Sequence, residues 1–127
     1  MASTILVVDD AAFVRHRIKS ILRQAGHALV DEGDGDAALR RATDPTSGIT
    51  VAVVDLNLRG SQLAGIDLVA LLLESGLPVV VVTQEQDPTA RARCLSLGAT
   101  AVLDKPIDEV ALRQAVGSAL RSLATGT

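Results

Sequence analysis

The chain has no tryptophan, no tyrosine and a single phenylalanine, Phe13, in 127 residues. Aromatic platforms on which single-stranded nucleic acid stacks are therefore missing. The lone cysteine, Cys94, rules out an internal disulfide framework and a cysteine-built zinc site. Such cysteine usage predicts a reducing compartment, and hence a cytoplasmic location. There is no excess of basic charge: 12 Lys and Arg stand against 15 Asp and Glu, for a net charge of -3. Neither nucleic acid nor an anionic membrane surface is an expected partner, since both need a basic face. No apolar run is long enough to span a bilayer, because Asp, Gly and Arg interrupt each one. The opening MASTILVVDD lacks a basic n-region and meets acid at once, so it does not read as a signal peptide.

What is present is 48% hydrophobic residues, too many for a disordered segment, on a chain of one domain's length. Four compact runs stand out, at Ile5 to Val8, Val51 to Val54, Val79 to Val82 and Ala101 to Leu103, with a weaker one at Ala28 to Val30. They are mostly β-branched and do not alternate with polar residues, as expected of strands buried on both faces of a parallel sheet. Between them lie helical patterns. Phe13, Ile18, Ile21 and Leu22 recur at helical spacing before Gly26, and Ala37, Ala38 and Leu39 mark a second, short helix. Leu68, Leu71 and Leu72 mark a third, ended by Gly76; Asp87-Pro88 opens a fourth, closed by Gly98. Val110, Leu112, Val116, Leu120 and Leu123 carry the fifth. Five consecutive βα units with right-handed crossovers predict an α/β fold, a three-layer, doubly wound parallel sheet.

In open α/β sheets ligands bind at the carboxyl ends of the strands. Those ends carry Asp9-Asp10 after strand 1, Asp31-Glu32 at strand 2, Asp55 after strand 3, Thr83 at strand 4 and Lys105-Pro106 after strand 5. Asp9, Asp10 and Asp55 against Lys105 leave an excess of negative charge that a hard divalent cation would neutralise, and Mg²⁺ is the usual one where a phosphate shares the site. A carboxylate can attack phosphorus to form an aspartyl phosphate, while a hydroxyl and a lysine hold the phosphoryl oxygens. The set reads as phosphoryl-transfer machinery with aspartate as acceptor. A dinucleotide site is disfavoured, since the first βα turn has no glycine.

With those residues in view, the chain resembles a response-regulator receiver domain of two-component signalling, over nearly its whole length. The acidic pair of that family matches Asp9 and Asp10, its phosphoacceptor matches Asp55 in VAVVDLNL, its Thr or Ser matches Thr83 in VVVVT, and its Lys-Pro matches Lys105-Pro106 in AVLDKP. The resemblance implies a flavodoxin-like strand order of 2-1-3-4-5. It implies that Asp10, Asp55 and the main-chain carbonyl of Asn57 bind Mg²⁺ directly, with Asp9 acting through water. It also implies phosphoryl contacts from Thr83 and Lys105, and a cis peptide bond before Pro106. Three departures stand out. The segment after Asp55 is about two residues longer than usual, with Arg59 where proline is expected; Gln84 replaces a small residue and would gate access to Asp55; and Val102 replaces the switch aromatic. Val102 is stiff and small, so the larger response to phosphorylation is expected in residues 56–64.

The blander readings are as follows. Asp9 and Asp10 could cap helix 1, His16 and His27 read as surface residues, Cys94 as a buried inert thiol, and Arg91 and Arg93 as a solvated helix face. An enzymatic alternative, a small haloacid-dehalogenase-like phosphatase, needs an Asp-x-Asp after strand 1, and Asp9-Asp10-Ala11 lacks the second carboxylate. A pseudo-receiver that never takes phosphate is opposed by the intact set of Asp9, Asp10, Asp55, Thr83 and Lys105. The expected organisation is a receiver domain over 1–124 with a short tail at 125–127, of the stand-alone type and without a DNA-binding domain. The expected role is non-enzymatic: phosphoryl transfer from a sensor histidine kinase or histidine phosphotransfer protein onto Asp55, switching an interaction with a downstream protein, with onward transfer along a relay and service as a phosphoryl sink as alternatives.

Overall fold

A computed structural model describes residues 3–125. Strands β1 (Thr4–Val8), β2 (Ala28–Glu32), β3 (Ile49–Val54), β4 (Val79–Thr83) and β5 (Ala101–Asp104) alternate with helices α1 (Ala12–Gln24), α2 (Gly35–Thr43), α3 (Gly65–Glu74), α4 (Pro88–Leu97) and α5 (Glu109–Thr125). All neighbouring strands are parallel, in the order β2-β1-β3-β4-β5. The expected topology is thus the observed one. Helix α5 is helical through Thr125, one residue past the boundary expected from the sequence, and Gly126 and Thr127 lie outside the described residues.

The unbroken apolar runs follow from the sheet being covered on both faces. Successive side chains of a strand point to opposite faces, so a strand buried twice must be apolar at every position. Leu6, Val8, Ala52, Val54, Val79 and Val81 meet Ala38 of α2, Leu68, Val69 and Leu72 of α3, and Cys94 of α4. Ile5, Val7, Val51, Val53, Val80 and Val82 meet α1 and α5 on the other side. The two edge strands, β2 and β5, have no fully buried residue. That partial exposure is why Ala28 to Val30 reads as the weakest run.

Local signals place the helix ends. Asp87 caps α4 by accepting from Thr89 N at 2.9 Å, Pro88 sits in its first turn, and Gly98 closes it with φ 112. Asp108 accepts from Val110 N and Ala111 N ahead of α5. Helix α1 differs from expectation. Its N-cap is Ala11 with no side-chain cap, because the Asp9 and Asp10 carboxylates are engaged elsewhere. Phe13, placed by its spacing with the apolar face, is instead 78% exposed. It sits beside Arg17, Pro106 and Ile107 at the carboxyl edge of the sheet. Val110 and Leu123 are likewise exposed, so the buried stripe of α5 runs through Leu112, Ala115, Val116 and Ala119. Among the described residues no helix is long and apolar enough to cross a membrane.

Candidate functional site

The carboxyl edge of the sheet opens into a cleft of about 840 Å³, whose lining includes Asp9, Asp10, Asp55, Asn57, Gln84 and Lys105. Parallel pairing puts these groups together. Asp55 N donates to Val8 O at 2.9 Å, which holds the residue after β3 level with the residue after β1. Lys105 N donates to Thr83 O at 3.1 Å, which continues the β4–β5 pairing one residue past the strand. The Lys105-Pro106 peptide is cis, as the resemblance implies. Gly65 permits the loop after Asp55 to fold close to α3, since a Cβ there would overlap the carbonyl of Leu56.

At the mouth of the cleft a half-buried cation lies between two buried carboxylates. Lys105 Nζ donates to Asp9 Oδ2 at 2.8 Å and to Asp55 Oδ2 at 2.9 Å. Asp9 and Asp55 are 1% and 4% exposed. Burial pushes the Asp9 carboxyl above its ordinary value, more strongly than the Lys105 and Ala11 hydrogen bonds pull it down. For Lys105, burial works to lower the ammonium's value, but its bonds to Asp9 and Asp55 outweigh that and hold it above the ordinary one. Lys105 is therefore charged at neutral pH.

One oxygen each from Asp9, Asp10 and Asp55 lies within 4.8 Å of the other two. Three carboxylates against one ammonium leave two negative charges in excess, and the donors are all oxygen. That set suits a hard divalent cation such as Mg²⁺ and not a soft or nitrogen-seeking metal. Main-chain N–H groups meanwhile supply partial positive charge: Asn57 N donates to Asp55 Oδ1 at 3.2 Å, Ala11 N to Asp9 Oδ1 at 2.9 Å, and Arg59 N to Asp10 Oδ2 at 3.1 Å.

Of the residues singled out from the sequence, Asp9, Asp10, Asp55, Asn57 and Lys105 meet in this cleft, and Gln84 stands exposed at its rim. Thr83 does not line it. It is fully buried, and its hydroxyl accepts from Glu85 N at 3.1 Å in the turn after β4. Val102 packs half-buried against the core on the α4 side, and Cys94 is fully buried, with burial pushing its thiol up. Arg91 corrects the reading of a solvated face. It is a strap, pairing with Asp104 at 2.8 Å and donating to Glu85 O at 3.2 Å.

Two supports escaped sequence reasoning. Arg15 donates to the Asp9 carbonyl at 2.6 Å while pairing with Asp31, which Lys19 also holds. Ser61 Oγ accepts from Gly35 N at 3.1 Å and donates to Leu63 O at 3.0 Å, tying the long loop to the start of α2. Asp31 at a strand end was visible as an acid without a named partner; Ser61 carried no signal.

Comparison with known proteins extends the picture. The response regulator PhoP of Pseudomonas aeruginosa is 29% identical over 119 residues, 92% of this chain and 51% of that protein. The chain spans about half the length of the first curated relatives it matches. Protein PilH of the same organism is 27% identical over 91% of this chain and 96% of its own length. The crystallised receiver domain of NtrX from Brucella abortus superposes with a TM-score of 0.85 at 28% identity, covering 93% of this chain and 98% of that one. The profile described as the response regulator receiver domain matches residues 5–117. That match runs from the first core strand into α5 and takes in the whole acidic cleft, so the chain belongs to the response regulator receiver domain family of two-component systems.

Proposed function

We propose that Asp55 accepts a phosphoryl group from the phosphohistidine of a sensor histidine kinase or histidine phosphotransfer protein, and that the phosphorylated chain switches an interaction with a downstream protein. The observation that carries this reading is the state of Asp55. It is a nearly buried carboxylate at the end of the central strand, with one oxygen on Lys105 and the acidic pair beside it. In the transfer an Asp55 carboxylate oxygen forms the new bond to phosphorus, the histidine N–P bond breaks, and the nitrogen leaves with its electron pair and takes up a proton. Bound Mg²⁺ supplies charge neutralisation for the incoming phosphoryl oxygens. Asp10, Asp55 and the Asn57 carbonyl would hold it directly, and Asp9, tied to Lys105, would act through water. Lys105 takes a phosphoryl oxygen, being the cation already aimed at Asp55. The Thr83 hydroxyl joins it after leaving the Glu85 amide.

The unit acting in this way is residues 1–124, in the cytoplasm, without direct contact to nucleic acid and without turnover of a substrate. Incubation with a small phosphodonor and Mg²⁺ should raise the intact mass by one phosphoryl group. The Asp55→Asn variant should gain nothing; an equal gain by that variant would remove Asp55 as acceptor.

A further inference from the structure

Arg59 occupies the position where the family resemblance expects proline. Proline has no N–H, whereas Arg59 N donates to Asp10 Oδ2 at 3.1 Å, across 49 positions of chain. The surrounding turn makes this contact informative. Ser61 N donates to Leu58 O at 3.3 Å, and Gly60, the third residue of that turn, has φ 76. No residue other than glycine has a positive φ among the described residues, so Arg59 has a negative one. A negative second residue followed by a positive third defines a type II turn, in which proline is favoured at the second position. The backbone at Arg59 thus accommodates proline, and what the arginine adds at this spot is a donor.

The donor meets the least restrained carboxylate of the cleft. Asp9 and Asp55 are both buried and share Lys105, while Asp10 is half-buried and has no cation partner among the described residues. Repulsion from its two neighbours would turn Asp10 toward water. We infer that the main-chain N–H of Arg59 is a positioning group for the cation site: by holding Asp10 Oδ2 it keeps that carboxylate, one oxygen of which lies within 4.8 Å of those of Asp9 and Asp55, in place beside them before any cation binds. The inference rests on the proposed role of Asp10 as a ligand. It makes Asp10 pre-organised, so a cation need not spend binding energy on ordering that side chain. It also fastens the long loop directly to the site, through a bond that a proline at 59 would abolish.

Two measurements test it. Calorimetric Mg²⁺ titrations compare Arg59→Pro with Arg59→Ala. Both lose the guanidinium, and only the second keeps the N–H. The proline variant should bind Mg²⁺ about tenfold more weakly than the alanine variant, the scale of one hydrogen bond to a charged group. Equal affinities would overturn the inference. Amide hydrogen exchange without metal gives a second readout. The Arg59 amide should exchange slowly in the wild type and fast in Asp10→Ala, while the Ser61 amide, bonded to Leu58 O, stays slow in both. Protection of Arg59 that survives Asp10→Ala would refute the bond's role. Should the wild type bind no Mg²⁺, the proposed function fails, and the exchange arm still decides whether Arg59 holds Asp10.

Discussion

Replacing Lys105 with methionine keeps an unbranched side chain of similar reach and deletes the ammonium. The two carboxylates it serves, Asp9 and Asp55, are 1% and 4% exposed, so their charges would be left facing each other with little water to screen them. Removing one partner of a buried ion pair costs about 3–5 kcal/mol. Lys105 is 13% exposed at the mouth of an open cleft, which argues for the lower end, about 3 kcal/mol at pH 7.5. A domain of this size has about 5–15 kcal/mol in all, so the loss is large. The deficit should also shrink on acidification. Burial already pushes the Asp9 carboxyl up, and losing Lys105 removes the stronger of the two groups that pull it down, leaving only the Ala11 N–H. The folded variant then holds a proton that the unfolded chain has released, so its unfolding free energy rises as pH falls, by up to about 1.4 kcal/mol per pH unit. Lys105 itself, held above its ordinary value, contributes stability that is fully present at neutral pH and lost only as pH rises through that higher value. Urea unfolding with EDTA present, followed by far-ultraviolet circular dichroism because the chain has no Trp or Tyr, measures both. A Lys105→Met protein as stable as the wild type at pH 7.5, or with the same deficit at pH 5, would refute this account of the cleft.

Gly65→Ala should lower the melting temperature by several degrees, equivalent to about 2–3 kcal/mol, because the new methyl would meet backbone atoms of Leu56; an unchanged melting temperature would show that the loop yields freely. Gln84→Ala should speed labelling by a small phosphodonor several-fold, since Gln84 stands at the rim of the cleft, and equal or slower labelling would remove it as a gate. Asp31→Asn should cost about 1 kcal/mol at neutral pH, and the gap to the wild type should close in acid. Burial opposes the charged form of Asp31, but Lys19 and Arg15 lower its value overall, so its contribution is present above the ordinary carboxylate value and fades as pH falls through the lower folded one; a gap unchanged down to acid pH would contradict this. With beryllofluoride bound, amide shifts should be larger across 56–64 than at Val102, because the loop touches Asp10 directly while Val102 packs away from the cleft; the reverse pattern would assign the output to β5 and its neighbours.

The strands were legible because burial on both faces of a parallel sheet demands apolar residues at every position, and Ile5 to Val8 or Val79 to Val82 satisfy nothing else so well. The acidic cleft was legible because parallel pairing sends every strand's carboxyl end to one edge, so Asp9, Asp55 and Lys105, far apart in the chain, must converge. Side-chain direction was less accessible. Phe13 has helical spacing with Ile18 and Ile21, yet its place on the first turn of α1, beyond the edge of the sheet, leaves it 78% exposed. Arg91 had the composition of a solvated face, and only the approach of β5 to α4 supplies Asp104.

What the sequence by itself determined is therefore the repeated βα order and the chemical set at the strand ends, since both follow from residue type and spacing along a regular sheet. The tertiary structure alone decided which hydrogen-bonding partner each group takes. Thr83 turns its hydroxyl to the Glu85 amide, Arg15 reaches the Asp9 carbonyl, and Ser61 bonds the start of α2. The Arg59 contact with Asp10 shows the reason most directly. Nearly every residue carries the same backbone N–H, so residue type does not mark the one that a folded loop will aim at a carboxylate.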